Sequence, residues 1–230
     1  MVSIIYAGRL GNNYFQYVAA YIFAKKFNLS LITPPIYNVF ILPIIQGNIY
    51  DNQVIDVNDD NYLNLLKSDK IENAHYRFVG FYQIKEFILE YRDEIKAIFD
   101  LKYNNVDKNL VFVSYRIGDI LNTKNILPIE YYIEALNKLN CIGGFISSDT
   151  LNHPNILELS KMYNLELYDN DANNTINFAK NFNNLVLSEG TFSWWIGFLS
   201  NAENIIYNER PRFWHGDIFV LPEWKFLNYN

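Results

Sequence analysis

The chain alternates short apolar runs with stretches of helical period. Val2–Tyr6 reads as a strand, Gly8–Asn13 as a turn, and Tyr14–Phe27 as a helix with Ala19, Ala20 and Ala24 on a tightly packed face. Leu29–Ile32 is a second strand, closed by Pro34-Pro35, which completes a βαβ opening. Residues 34–75 lose periodicity and read as loops with one or two short elements. A strand over Tyr76–Gln83 then leads into a charged amphipathic helix from Ile84 to about Phe99. The polar stretch Leu101–Asn109 is the candidate boundary, which gives expected domains of 1–105 and 106–230. Beyond it the pattern predicts strands at Leu110–Ser114, Gly143–Ser147, Leu165–Tyr168, Leu185–Leu187 and Asn204–Tyr207. Helices are predicted over Leu127–Leu139, Asn155–Tyr163, Ile176–Phe182 and the aromatic stretch after Gly190. Either Thr191 or Ser193 is the expected cap of that last helix. Strands and helices in alternation, without internal repeats, predict an α/β protein with two βα domains facing a cleft.

Composition narrows the function. With 230 residues, half of them apolar and 17% aromatic, the chain has material for a large core. A net charge of −6 and no Lys/Arg block argue against nucleic acid as the main partner. An anionic ligand would therefore be met by a few placed cations. Cys141 is the one cysteine, and His75, His153 and His215 are far apart in sequence, so neither a disulfide framework nor a Cys/His zinc site is expected. Met1 runs straight into the first strand and no apolar run reaches spanning length. The expectation is a cytoplasmic protein with no signal peptide and no transmembrane segment.

Four stretches carry candidate chemistry. Gly8 and Gly11 are spaced G-x-x-G with no third glycine, which disfavours a dinucleotide fingerprint. Asn12 and Gln16, one helical turn apart, would share a face able to read sugar hydroxyls. Gly80-Phe-Tyr-Gln83 precedes the charged helix. In Ser114-Tyr-Arg-Ile-Gly-Asp119, Arg116 offers forked donors to phosphate oxygens, or forms a structural ion pair. Asp119 could orient Arg116, bind an acceptor, act as a general base, or simply form the turn after Gly118. The fourth stretch, Leu185–Leu199, turns through Ser188-Glu-Gly-Thr191 into a helix whose first N–H groups can hold a phosphate without a metal. It reads equally as a plain strand–turn–helix with its tryptophans in the core. Glu189 rivals Asp119 as the base. Ser148 and Asp149, at a strand's C-terminal end, stand where nucleotides bind in open α/β sheets. Asp169-Asn-Asp171 has the D-x-D pattern that holds a divalent metal in many glycosyltransferases, but it lies in a loop-like Asn/Asp run, and no metal site is expected there.

These stretches together resemble the alpha-1,2-fucosyltransferases of glycosyltransferase family eleven. The matches are Gly8, Leu10, Gly11 and Asn12 followed by Phe15-Gln16-Tyr17, then Gly80–Gln83, Ser114–Asp119 and Thr191-Phe-Ser-Trp-Trp195. The resemblance implies a GT-B-like fold of two Rossmann-type domains, with the donor GDP-fucose held mainly by the C-terminal one. It implies an inverting, metal-independent transfer to a glycan or glycoconjugate acceptor, most readily to a galactose-like hydroxyl. It also implies that Arg116 meets the diphosphate, with Gly8, Gly11, Gly118, Ser148, Asp149, Gly190, Thr191, Phe192 and Ser193 around the donor and Asn12 and Gln16 on the acceptor side. No cofactor beyond the donor substrate is implied. Ser114 departs from the family's usual histidine, and Ile117 from what is often a second arginine. Two alternatives therefore stand: a transferase of another nucleotide sugar, or a non-catalytic sugar- or nucleotide-binding relative.

Overall fold

The computed structural model describes residues 1–34, 42–121, 126–208 and 219–227. Pro35, Pro211, Trp214 and His215 lie outside the described residues. The chain divides into two compact units, one of Met1–Leu101 and one beginning at Lys102.

In the first unit, β1 (Val2–Ile4), β2 (Leu31–Ile32), β3 (Val54–Val57) and β4 (His75–Phe78) form a parallel sheet in the order β2-β1-β4-β3. Helix α1 runs Leu10–Lys26, so it absorbs Leu10–Asn13 of the turn expected over Gly8–Asn13. Its Phe23 ring packs on Tyr76 and Phe78 of β4, at centroid distances of 5.1 and 5.4 Å. Helix α2 (Tyr62–Lys67) fills part of the aperiodic region, with Tyr62 fully buried against Phe78 and Tyr82. The helix expected over 84–99 is two: α3 (Lys85–Glu90) and α4 (Arg92–Ile98). Tyr91 between them leaves the helical region (ψ 19°) while its ring stays on Phe87, and Ile95 and Ile98 enter the core.

The second unit holds β5 (Leu110–Tyr115), β6 (Gly143–Ser148), β7 (Leu165–Leu167), β8 (Asn184–Leu187), β9 (Asn204–Tyr207) and β10 (Lys225–Phe226). All pairings are parallel, in the order β10-β9-β8-β5-β6-β7. Counted from β5, that is the doubly wound order 3-2-1-4-5-6, which reverses between β5 and β8. The central strand β5 is apolar over Leu110–Val113 because helices cover both faces. Val111, Val113 and Tyr115 pack with Tyr131 and Leu136 of α5 (Ile129–Leu139) and with Ile156 and Leu159 of α6 (Pro154–Tyr163). Phe112 faces the other way, onto Phe178 of α7 (Ala172–Ala179) and Phe182. Helix α8 (Thr191–Leu199) follows β8, with Trp194 and Trp195 fully buried.

Two boundaries differ from the sequence reading for identifiable reasons. Helix α7 starts four residues earlier than expected because Asp171, from the Asn/Asp run, caps it: its carboxylate accepts from Asn174 N at 2.9 Å. Strand β10 is a two-residue pairing with β9, too short to carry a sequence period. Among the described residues, no helix is long and apolar enough to cross a membrane.

Candidate functional site

In the second unit, the strand order reverses between β5 and β8, and the backbone groups and side chains beyond the C-terminal ends of those strands share one site. Arg116 follows β5. Its Nε and Nη2 donate to the two oxygens of Asp119 at 2.9 and 2.7 Å, a forked pair with side chains 34% and 24% exposed. Asp119 is thereby an orienting partner of Arg116. Those hydrogen bonds hold the guanidinium's pKa above its ordinary value; burial opposes the shift, and the charges of Asp119, Glu189 and Asp149 add to it. Three carboxylates thus surround one cation.

The third nitrogen of Arg116 lies against the β8–α8 turn. A Cβ placed on Gly190 would stand 2.8 Å from Arg116 Nη1, and Gly190 holds φ +109° and ψ 158°, a conformation open essentially to glycine. This is why neither Thr191 nor Ser193 caps α8. Gly190 is the cap residue, with no side-chain hydrogen bond, and Thr191 is the first helical residue. Helix bonding begins with Trp194 N donating to Gly190 O at 3.0 Å, so the N–H groups of Thr191, Phe192 and Ser193 precede the helical ladder. Thr191 and Phe192 are half-buried, which leaves that end open to a ligand. Gly190 N itself donates to Tyr207 Oη at 3.3 Å.

Ser193 has a different duty from capping. Its hydroxyl bridges Ser114 at 2.9 Å and Ser188 at 2.8 Å, tying the ends of β5 and β8 to the first turn of α8. Ser114, at the position where the resembled family carries histidine, is therefore a buried structural hydroxyl. Ile117 is fully buried in the core, so its side chain does not approach the site where a second arginine would act.

Asp149 was expected to read a nucleotide. Its Oδ1 instead accepts from the backbone of Ile117 at 2.9 Å and Gly118 at 2.8 Å, with Asp119 N at 3.4 Å from Oδ2. It fixes the loop that carries Arg116. Ser148 Oγ accepts from Thr150 N at 3.1 Å, which shapes the same turn.

The first unit gathers its own polar group at the β1–β4 strand ends. Gly8 holds φ +78°, and a Cβ there would fall 2.0 Å from Asn12 Nδ2, so the glycine lets Asn12 fold back over the turn. Asn12 Oδ1 accepts from Gln83 Nε2 at 3.2 Å. Gln16, expected on a sugar-reading face, is fully buried: its Oε1 accepts from Ala7 N at 3.2 Å and its Nε2 donates to Gly80 O at 3.0 Å. Its amide knits β1 to β4 and is not presented to solvent. Gly11 is buried within α1. Asp171 has both carboxylate oxygens on Asn174, and among the described residues no group of three His, Cys, Asp or Glu side chains is arranged to hold a metal.

The sequence reading missed Tyr207, Tyr132 and Gln83. Tyr207 and Tyr132 lie in apolar runs, where a tyrosine reads as core. Gln83 had a signal, since it closes the Gly80–Gln83 match.

A doubly wound sheet with an arginine and a helix N-terminus at its switch point defines an α/β protein whose candidate site lies at the position where open sheets of this kind hold ligands. No protein-family model matches the chain. In sequence it is similar to an alpha-1,2-colitosyltransferase of Escherichia coli, 24% identical over 86% of this chain and 87% of that protein. In fold it is similar to the R284K mutant of Arabidopsis thaliana FUT1, solved in complex with GDP. The TM-score is 0.55 at 10% identity, over 92% of this chain and 71% of that one. The chain thus has a GT-B-like α/β fold and resembles the alpha-1,2-fucosyltransferases.

Proposed function

We propose that the protein is an inverting transferase that moves L-fucose from GDP-fucose to a sugar hydroxyl, in α-1,2 linkage on a galactose-like acceptor. The observation that carries this reading is the placement of Arg116 against the Gly190 turn, at the head of α8. Cleaving a sugar–phosphate bond builds negative charge on the departing diphosphate. A cation and a helix N-terminus fixed beforehand stabilise that charge more than the ground state. In this reading the diphosphate sits on the Thr191–Ser193 N–H groups beside Arg116, and no divalent metal is required. The unit that begins at Lys102 is the donor domain, and the unit of Met1–Leu101, which carries Asn12, is the acceptor-side domain.

The acceptor hydroxyl attacks the sugar from the face opposite GDP, and its proton must leave. Asp119 has both oxygens on Arg116, so the base role is assigned to Glu189, half-buried in the turn. The similarity to a colitosyltransferase favours colitose as the second donor sugar to test.

Calorimetric titration with GDP, GDP-fucose, GDP-linked colitose and UDP-galactose, with EDTA present, tests this. GDP and GDP-fucose should bind the wild type, and Arg116→Ala should lose roughly ten- to hundredfold in affinity, as expected for charged hydrogen bonds of about 1.5–3 kcal/mol. Glu189→Gln should keep GDP affinity while turnover falls by about a hundredfold or more. Binding that appears only with Mg²⁺ or Mn²⁺ would overturn the metal-free mechanism. Absence of binding to any of the four nucleotides would leave the non-catalytic relative in its place.

A further inference from the structure

The β8–α8 turn rests on hydroxyls. Ser114, Ser193 and Ser188, all buried, form a chain with Oγ–Oγ distances of 2.9 and 2.8 Å. A fourth hydroxyl faces its end. Tyr132, near the start of α5, is fully buried, its ring stacked on Tyr115 at a centroid distance of 3.8 Å. Its Oη faces Ser188 closely enough for a weak interaction, yet makes no hydrogen bond of ordinary geometry. Neighbouring tyrosines differ. Tyr131 Oη donates to Leu187 O and Tyr115 Oη to Leu127 O, each at 2.8 Å, and Tyr207 Oη accepts from Gly190 N at 3.3 Å. A buried hydroxyl without a well-formed hydrogen bond costs stability, and phenylalanine would fill the same space without that cost. A group that is unfavourable in the ligand-free fold calls for a use in another state.

We propose that Tyr132 is a positioning residue for the β8–α8 turn, its hydroxyl closing onto Ser188 when a diphosphate seats on the first turn of α8. The inference rests on the diphosphate reading of this turn. Each hydroxyl in the chain has one hydrogen and can accept another bond. With Tyr132 donating to Ser188, Ser188 donates to Ser193 and Ser193 to Ser114, so the three hydrogens align and polarise one another. No proton changes owner. Burial holds the phenol's pKa well above its ordinary value, so Tyr132 remains a donor at working pH. Ser188 is bonded to the next residues of the turn, Glu189 and Gly190. Drawing it toward Tyr132 therefore adjusts the base and the glycine against which Arg116 lies.

The test is Tyr132→Phe in the full chain, with ligand-free melting temperature read alongside calorimetric and thermal-shift titrations with GDP and with inorganic pyrophosphate. The variant should melt at or above the wild-type temperature and bind both anions about fivefold or more weakly, on the scale of one lost hydrogen bond. A melting temperature lowered by several degrees would show the hydroxyl to be paired in the free protein and overturn the proposal. Unchanged affinity for both anions would overturn it as well. If wild type binds pyrophosphate but not GDP, and Tyr132→Phe weakens the former, the turn inference stands and the nucleotide-sugar reading fails. If wild type binds neither anion, both fail.

Discussion

At the scale of single residues, the candidate site is a set of side chains committed to holding one another. Arg116 is fixed by Asp119, the Arg116 loop by Asp149, and the α8 turn by Ser193, so these groups are already held in place before any ligand binds. Gly190 is the position at which this is most exposed to test. Gly190→Ala adds a methyl group 2.8 Å from Arg116 Nη1 and forces alanine into φ +109°. Strain of this kind costs about 1–3 kcal/mol. The expected outcome is a urea midpoint lowered accordingly, together with loss of most GDP affinity because the guanidinium is displaced. A variant that lost stability yet bound GDP like the wild type would separate Arg116 from the donor site. Gln16 gives the complementary lesson. The helical spacing of Asn12 and Gln16 is as expected, but burial directs the Gln16 amide to the backbone of Ala7 and Gly80.

At the scale of elements, the turns decide where the helices stand. Asp171 converts a polar run that reads as loop into the start of α7, because its carboxylate meets the exposed N–H of Asn174 and its backbone is extended, as a cap requires. Asp171→Ala should lower stability by about 1 kcal/mol, measured by urea unfolding. GDP affinity should be unchanged, since this helix presents no group to the Arg116 site in the arrangement described. A large loss of affinity on adding EDTA to wild type, reproduced by Asp171→Ala, would instead return the D-x-D run to a metal role. Helix α8 is the opposite case: no side chain caps it, its entry is a glycine, and its first N–H groups stay open beside Arg116. A capping side chain here would compete with any anion for the same N–H groups.

At the scale of the molecule, 18 tyrosines in 230 residues make alkaline pH the natural denaturant. Burial raises the pKa of Tyr62, Tyr131 and Tyr132 well above the ordinary value, and that of Tyr6 to about 12, with its Thr33 hydrogen bond opposing. An unfolded tyrosine ionises near pH 10, whereas the folded state keeps these protons. Between the two values the unfolded chain binds fewer protons, so stability falls as pH rises. The contribution is intact below about pH 10 and declines steadily toward the folded value of about 12 for Tyr6. Tyrosinate absorbance and circular dichroism should therefore change together, in one cooperative step above pH 10. Tyrosinate appearing with the fold intact would mean that these rings are accessible to water.

The sequence by itself determined the alternation of strands and helices, the apolar β5 and β8, and the motif residues at their ends. Those are local properties, set by period, by turn-forming glycine and by the need to bury Val111, Val113 and Val186. Through the resemblance to a transferase family, it also marked Arg116, Gly190 and Thr191 as candidates for one site. Only the tertiary structure decided what each side chain does there. Pairing β5 with β8 brings Ser114 next to Ser193, turns Ile117 into the core, and sets Arg116 against Gly190 across more than seventy residues of chain. Which groups meet across such a separation depends on strand register and packing, and no periodicity along the chain carries that information.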